Sequence, residues 1–138
     1  MTLKFRNAET TLQGLNPSMK TIIAGGRNLV GDTAKRLVRE AVAESGWSTQ
    51  ITEIVHGGAR GIDSAADEVC SPLWTVKVFP ADWNTHGKSA GAIRNRQMAE
   101  YADALIAIWD GETPGTRNMI ETATKKGLKV FVKRVNRS

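Results

Sequence analysis

Short apolar runs alternate along this chain with longer stretches in which apolar residues recur every three or four positions. The short runs predict strands covered on both faces, and the longer stretches predict helices with one buried face. Five strands are predicted, at 20–24, 51–55, 75–79, 104–109 and 129–133. Four helices are predicted, at about 32–45, 61–70, 92–102 and 116–126.

The first predicted helix carries the clearest pattern. Asp32 or Thr33 would cap its start, and Gly46 would end it after Ser45. One side of the helix collects the apolar residues Ala34, Leu37, Val38, Ala41 and Val42. That side would pack against a sheet.

Strict alternation of strand and helix predicts parallel strands, because parallel neighbours need a crossover connection between them. The predicted fold is α/β: a Rossmann-like, doubly wound, open parallel sheet of about five strands with helices on both faces. Residues 19–138 would form a single domain. Residues 1–18 show no clear period and predict an N-terminal arm that either carries a short strand or is disordered.

The chain is basic, with a net charge of +5 and an isoelectric point of about 9.7. This charge favours anionic ligands or nucleic acid as partners. No apolar run approaches the ~20 residues of a membrane span, and no apolar signal core follows the basic N-terminus. We therefore expect a cytoplasmic protein without a membrane partner. The lone cysteine, Cys70, allows no internal disulfide, and its apolar surroundings predict a buried, inert thiol.

Residues with chemical potential gather in the loops that follow the strands. In a doubly wound sheet, ligands bind beyond the carboxyl ends of the strands, at the switch in strand order. The loops at 25–27, 57–63, 80–95 and 110–116 hold most of the glycines, one of the two histidines and several arginines, and the other histidine directly precedes the second loop. The sequence has neither a G-x-G-x-x-G fingerprint nor a P-loop.

The loop with three glycines is the most informative. Gly57, Gly58 and Gly61 stand between a strand and a helix, where backbone N–H groups bind phosphates. Arg60 would grip a phosphate or carboxylate with its guanidinium. Asp63 would either cap the helix or hold a ribose hydroxyl.

Two more loops bring charge and an aromatic ring to this edge. The Gly-Gly-Arg run at 25–27 predicts either a tight turn or a close approach to a phosphate. Trp83 would stack on a base or pack as a lid. The Arg-Asn-Arg run at 94–96 is predicted to open a helix, where an anion would relieve the like charges.

The loop at 110–116 supplies candidates for acid–base catalysis. Asp110 and Glu112 are the nearest carboxylates, and Glu121 follows on the next helix. Thr116 would cap that helix or bind a phosphate. Since no His/Cys cluster is present, no metal site is predicted.

Three blocks of the sequence resemble a known family. They are Gly-Gly-Ala-Arg-Gly-x-Asp at 57–63, Phe-Pro-Ala-Asp-Trp at 79–83 with Gly-Lys at 87–88 and Ala-Gly at 90–91, and Ile-Arg-Asn-Arg-x-Met at 93–98. Together they resemble the YspA-like branch of the SLOG superfamily, which also contains the DNA-processing protein DprA and the LOG phosphoribohydrolases. The resemblance covers about residues 19–133.

The resemblance implies a Rossmann-like domain that binds a nucleotide or nucleotide derivative: a nucleoside monophosphate, an ADP-ribose-like molecule or a cyclic nucleotide. The protein would be a sensor or a sequestering module, would need no cofactor, and would form a homo-oligomer (a dimer or larger). The residues that would line the pocket are Gly25, Gly26, Arg27, Gly57, Gly58, Arg60, Asp63, Arg94, Asn95, Gly115 and Thr116. The loops themselves add Gly61 and Trp83.

Two other functions stay open. SLOG enzymes carry P-G-G-x-G-T-x-x-E; Gly115 and Thr116 match its G-T, but Met119 stands where the motif has glutamate. Glu121 lies two residues later, and a helix turns ~200° over that interval. One alternative is still a LOG-like hydrolase of an N-glycosidic or phosphate bond, with Asp110, Glu112 or Glu121 as its acid or base. The other is DprA-like binding of single-stranded DNA.

Overall fold

The computed structural model of the protein describes residues 17–136, so nearly all of the predicted arm lies outside the described residues. The strands are β1 (Lys20–Gly25), β2 (Glu53–His56), β3 (Val76–Val78), β4 (Ala104–Trp109) and β5 (Lys129–Arg134). The helices are α1 (Gly31–Ser45), α2 (Ile62–Cys70), α3 (Trp83–His86), α4 (Ala90–Tyr101) and α5 (Pro114–Lys125), with a 3₁₀ turn (Gly87–Ser89) between α3 and α4.

The strands form one parallel sheet in the order β3-β2-β1-β4-β5. The chain moves outward from β1 to β3 and then crosses back to β4, which pairs with β1 on its other side. The carboxyl ends of β1 and β4 therefore mark the switch in strand order where such sheets bind ligands. The predicted Rossmann-like, doubly wound α/β fold is confirmed.

Helices cover both faces of the sheet because successive strand residues point to opposite sides. Ile23 and Ile106 face the core under α1 and α2. Ile22 and Leu105 face the second core, under α4 and α5. Among residues 17–136, no helix has the length and apolar character needed to cross a bilayer.

Helix α1 shows how far the apolar pattern reaches. Its buried residues are those of the predicted apolar side, and Gly46 ends it in the left-handed conformation with φ 76°. The predicted cap is wrong. The helix begins at Gly31, after an extended Val30, with no side-chain cap. Asp32 lies inside the first turn, where its charge suits the positive end of the helix dipole.

The segment at 81–91, a polar stretch between the strand predicted at 75–79 and the helix predicted from about 92, is expected to be a loop and differs most from its prediction. Asp82 caps α3, its Oδ1 accepting a hydrogen bond from the Thr85 N–H at 3.1 Å. The 3₁₀ turn then leads directly into α4, which begins at Ala90. Arg94, Asn95 and Arg96 therefore lie in the second turn of α4, and the prediction that they open a helix is wrong.

Cys70 is fully buried against the α1 side of the sheet. Burial raises the pKa of its thiol to about 11, and the nearby Asp67 charge adds to this. Since the thiolate is the reactive form, we expect Ellman's reagent at pH 8 to label the native protein on the order of 100-fold more slowly than the protein unfolded in guanidinium. Rapid stoichiometric labelling of the native protein would contradict this.

Candidate functional site

A cavity of about 710 Å³ opens at the carboxyl edge of the sheet. Its walls come from the loops after β1, β2 and β4 and from α4, so the four predicted loops meet at one place. Of the residues predicted to bind a ligand, all but Gly26 and Gly61 line it. The sequence analysis missed other lining residues, including Lys88, Met98, Asn118 and Met119.

Asp63 holds the glycine loop from inside the protein. Its Oδ2 accepts hydrogen bonds from the Gly57 N–H at 3.1 Å and the Ala59 N–H at 3.2 Å. The side chain is 7% exposed. The N-cap of α2 is Gly61, so the prediction that Asp63 caps its own helix is wrong. Burial raises the pKa of Asp63, against the hydrogen bonds from Ala59 and Gly57 and the charge of Arg94.

His56 holds the same loop from the other side and was missed by the sequence analysis. Its Nδ1 accepts a hydrogen bond from the Gly58 N–H at 3.0 Å. The ring proton therefore lies on Nε2, which donates to Asp67 Oδ1 at 2.9 Å. The only sequence signal was its place as the last polar residue before the glycines.

These contacts change the interpretation of the glycine loop. The N–H groups of Gly57, Gly58 and Ala59 are all donated to protein side chains. They were expected to face a phosphate. Their engagement fixes the shape of the loop, and these three N–H groups are not available to a ligand.

Arg94 of α4 binds the glycine loop through a backbone carbonyl. Its Nη1 donates to the Gly57 carbonyl at 2.7 Å, and its Nε donates to Asn95 Oδ1 at 3.1 Å. A Cβ on residue 57 would lie 2.6 Å from the Arg94 Cζ, so the guanidinium needs glycine there. Burial lowers the pKa of Arg94; Asp63 opposes the shift and the positive charge of Arg27 adds to it. The charges of Arg27 and Arg94 thus repel each other in the cavity.

Arg27 and Arg60 are exposed side chains in the wall of the cavity. No carboxylate between residues 17 and 136 forms an ion pair with either of them. Together with Arg94 they give this wall three guanidinium groups.

Asn95 joins α4 to α5 at the back of the cavity. Its Nδ2 donates to Asn118 Oδ1 at 2.9 Å and to the Gly115 carbonyl at 3.4 Å. Thr116 is buried in the first turn of α5, whose N-cap is Thr113, so the prediction of Thr116 as the cap is wrong. These residues set the spacing of the two helices.

Gly61 does not line the cavity. It packs closely against the loop that follows β1. Its φ is 84°, and a Cβ there would lie 2.5 Å from the Gly26 carbonyl oxygen. The Ile62 N–H donates to that same oxygen at 3.2 Å. The loop after β1 and the loop after β2 are therefore held together at this point.

Trp83 lies at the rim of the cavity beside Gly91 and is 56% exposed. Trp109 is occupied differently: its Nε1–H donates to the Thr113 carbonyl, and Arg117 and Arg134 lie near its ring. Trp47 packs edge-on against a phenylalanine of β5. Of these rings, Trp83 is the one placed to stack on a ligand.

The carboxylates considered for catalysis lie elsewhere. Among the described lining residues of the large cavity, Asp63 is the only carboxylate. Asp110 accepts hydrogen bonds from the Glu112 and Thr113 N–H groups and lines a second, smaller cavity. Glu121 is exposed on α5. Within residues 17–136, no three His, Cys, Asp or Glu side chains gather as a metal site.

A stretch of 85 residues is 39% identical to the "Gene 61 protein" of Mycobacterium phage D29, covering 56% of this chain and 68% of that protein. No protein-family model matches the chain. No solved structure matches it either.

Proposed function

Since the chain belongs to the family of the phage D29 Gene 61 protein, whose name specifies no activity, we propose a function from the cavity itself. The protein binds a nucleotide or nucleotide derivative at the carboxyl edge of its sheet, as a sensor or sequestering module. This is also the ligand class that the SLOG resemblance implies.

The three guanidinium groups in the wall of the cavity, those of Arg27, Arg60 and Arg94, carry this proposal. Like charges in one wall cost free energy, and a bound anion offsets that cost while it accepts hydrogen bonds from the guanidinium groups. A phosphate group supplies both the negative charge and the hydrogen-bond acceptors.

The remaining walls suit a base and a sugar. The lining includes the apolar residues Met98, Met119 and Pro114, and Trp83 at the rim is 56% exposed, which suits stacking on a base. The volume of about 710 Å³ lies in the range of small-molecule sites. Binding without cleavage is favoured because Met119 stands where the SLOG enzymes have glutamate and brings no acid–base group to the cavity wall.

Calorimetric titration with AMP, GMP, CMP and UMP tests the proposal. We expect at least one of them to bind, and the double variant Arg27→Ala/Arg60→Ala to bind it about 30-fold more weakly, since two charge-assisted contacts are lost. Both side chains are exposed and lack ion pairs within the described residues, so the melting temperature should not change.

The matched control is Arg39→Ala/Arg96→Ala, which removes the same charge from two exposed arginines outside both cavities. It should retain full affinity. Equal weakening in the two double variants would show that only net charge matters. Failure of all four nucleotides to bind would overturn the proposal.

A further inference from the structure

A second cavity of about 380 Å³ adjoins the first on the β4 side of the sheet. The two cavities share Arg27, Arg60 and Thr113 in their walls. The pair of arginines without ion pairs therefore stands between two cavities and faces both.

The chemistry of the smaller cavity differs from that of the arginine-bearing wall between the two cavities. Leu29 and Ile108 give it apolar surface, and the side-chain amides of Asn28 and Asn136 supply both donors and acceptors. Asp110 adds a carboxylate that accepts hydrogen bonds from the Glu112 and Thr113 N–H groups. An uncharged ring with polar edges, such as a nucleoside, fits these walls better than an anion does.

We propose that the two cavities hold the two halves of one ligand, a dinucleotide whose bridging pyrophosphate lies between Arg27 and Arg60. This inference rests on the proposed function and specifies the ligand class. Each cavity takes one nucleoside, and the positive charge lies where the two nucleosides are joined. The shared wall with Arg27 and Arg60 lies at the switch in strand order between β1 and β4.

The test compares three probes built on the best-binding base: the nucleoside monophosphate, the nucleoside diphosphate and the symmetrical dinucleoside pyrophosphate. The diphosphate carries more negative charge than the pyrophosphate diester, so charge alone would make it bind at least as well. We expect the dinucleoside pyrophosphate to bind at least ~10-fold more tightly than either of the others, because only it fills both cavities.

The variant Asn28→Ala/Asn136→Ala locates the second nucleoside. Both side chains are exposed, so the fold is retained. We expect the variant to lose most of the gain of the dinucleoside pyrophosphate and to bind the monophosphate as the parent protein does. A gain that survives in the variant would overturn the assignment of the smaller cavity.

The outcomes separate this inference from the proposed function. If the monophosphate binds and the dinucleoside pyrophosphate binds no better, the two-cavity ligand is overturned and the nucleotide site stands. If none of the three probes binds, the nucleotide site itself is overturned, and this inference falls with it.

Discussion

Replacing Gly61 with alanine is expected to lower the free energy of unfolding by about 4 kcal/mol, the sum of backbone strain and overpacking. The strain arises because φ is 84° and ψ is −127°, a backbone region that costs an L residue about 1–3 kcal/mol. Overpacking arises because the new Cβ would lie 2.5 Å from the Gly26 oxygen and 2.7 Å from the Arg27 Cα. Both contacts are backbone, so no side chain can swing away.

Gly87→Ala is the matched control. Its φ of 56° and ψ of −132° lie in the same backbone region as the φ of 84° and ψ of −127° of Gly61, but a Cβ there meets no atom within 4 Å. We expect it to cost only about 2 kcal/mol, the backbone strain alone. The difference between the two variants in urea unfolding therefore measures the collision alone. Equal losses would show that the loops after β1 and β2 can move apart freely.

Gly61→Ala is also expected to alter the large cavity. Relief of the collision must displace the backbone at Gly26 and Arg27, because the Ile62 N–H to Gly26 hydrogen bond ties it to α2. Arg27 would then move relative to Arg94. Any Gly61→Ala protein that remains folded should bind nucleotide more weakly than the parent.

The sequence predicted the elements best where local pattern and tertiary burial agree. The run at 104–109 is apolar throughout and became β4, the strand covered on both faces, with the same bounds. The apolar side of α1 was likewise predicted residue by residue. In both cases the spacing of the apolar residues and the composition of the segment fit only one type of element.

The prediction failed where the structure depends on a single local contact or on distant partners. The helices within 81–91 follow from one capping bond to Asp82 and show no apolar period. The engagement of the glycine-loop amides depends on Asp63 and His56, which a strand-glycine-helix pattern does not reveal. Sequence could locate the loop, but it could not say which of its groups would be held by other side chains.

Asp63→Ala is expected to lower the free energy of unfolding by about 3 kcal/mol, because the Gly57 and Ala59 N–H groups lose their common acceptor. Arg94 also loses the charge that opposes the effect of its burial. Asp63→Asn keeps an oxygen at the same position, so it should cost less than half as much. Urea unfolding of the two variants measures the difference.

A comparison across pH tests whether burial dominates at Asp63. Burial raises the pKa of this carboxyl, so the folded state holds its proton more tightly than the unfolded state does. The free energy of unfolding of the parent protein, measured relative to Asp63→Asn, should therefore rise as the pH falls through the pKa of folded Asp63. Unfolding both proteins at pH 7 and pH 4.5 gives that difference.

The opposite trend would be equally informative. If the parent protein loses stability relative to Asp63→Asn on acidification, then the amide hydrogen bonds and Arg94 favour the charged carboxylate more than burial disfavours it. Asp63 and Arg94 would then act as a firm ion pair beneath the loop, and an incoming phosphate would have to compete with Asp63 for Arg94. Arg27 and Arg60, which have no such competitor among the described residues, would in that case carry most of the anion affinity.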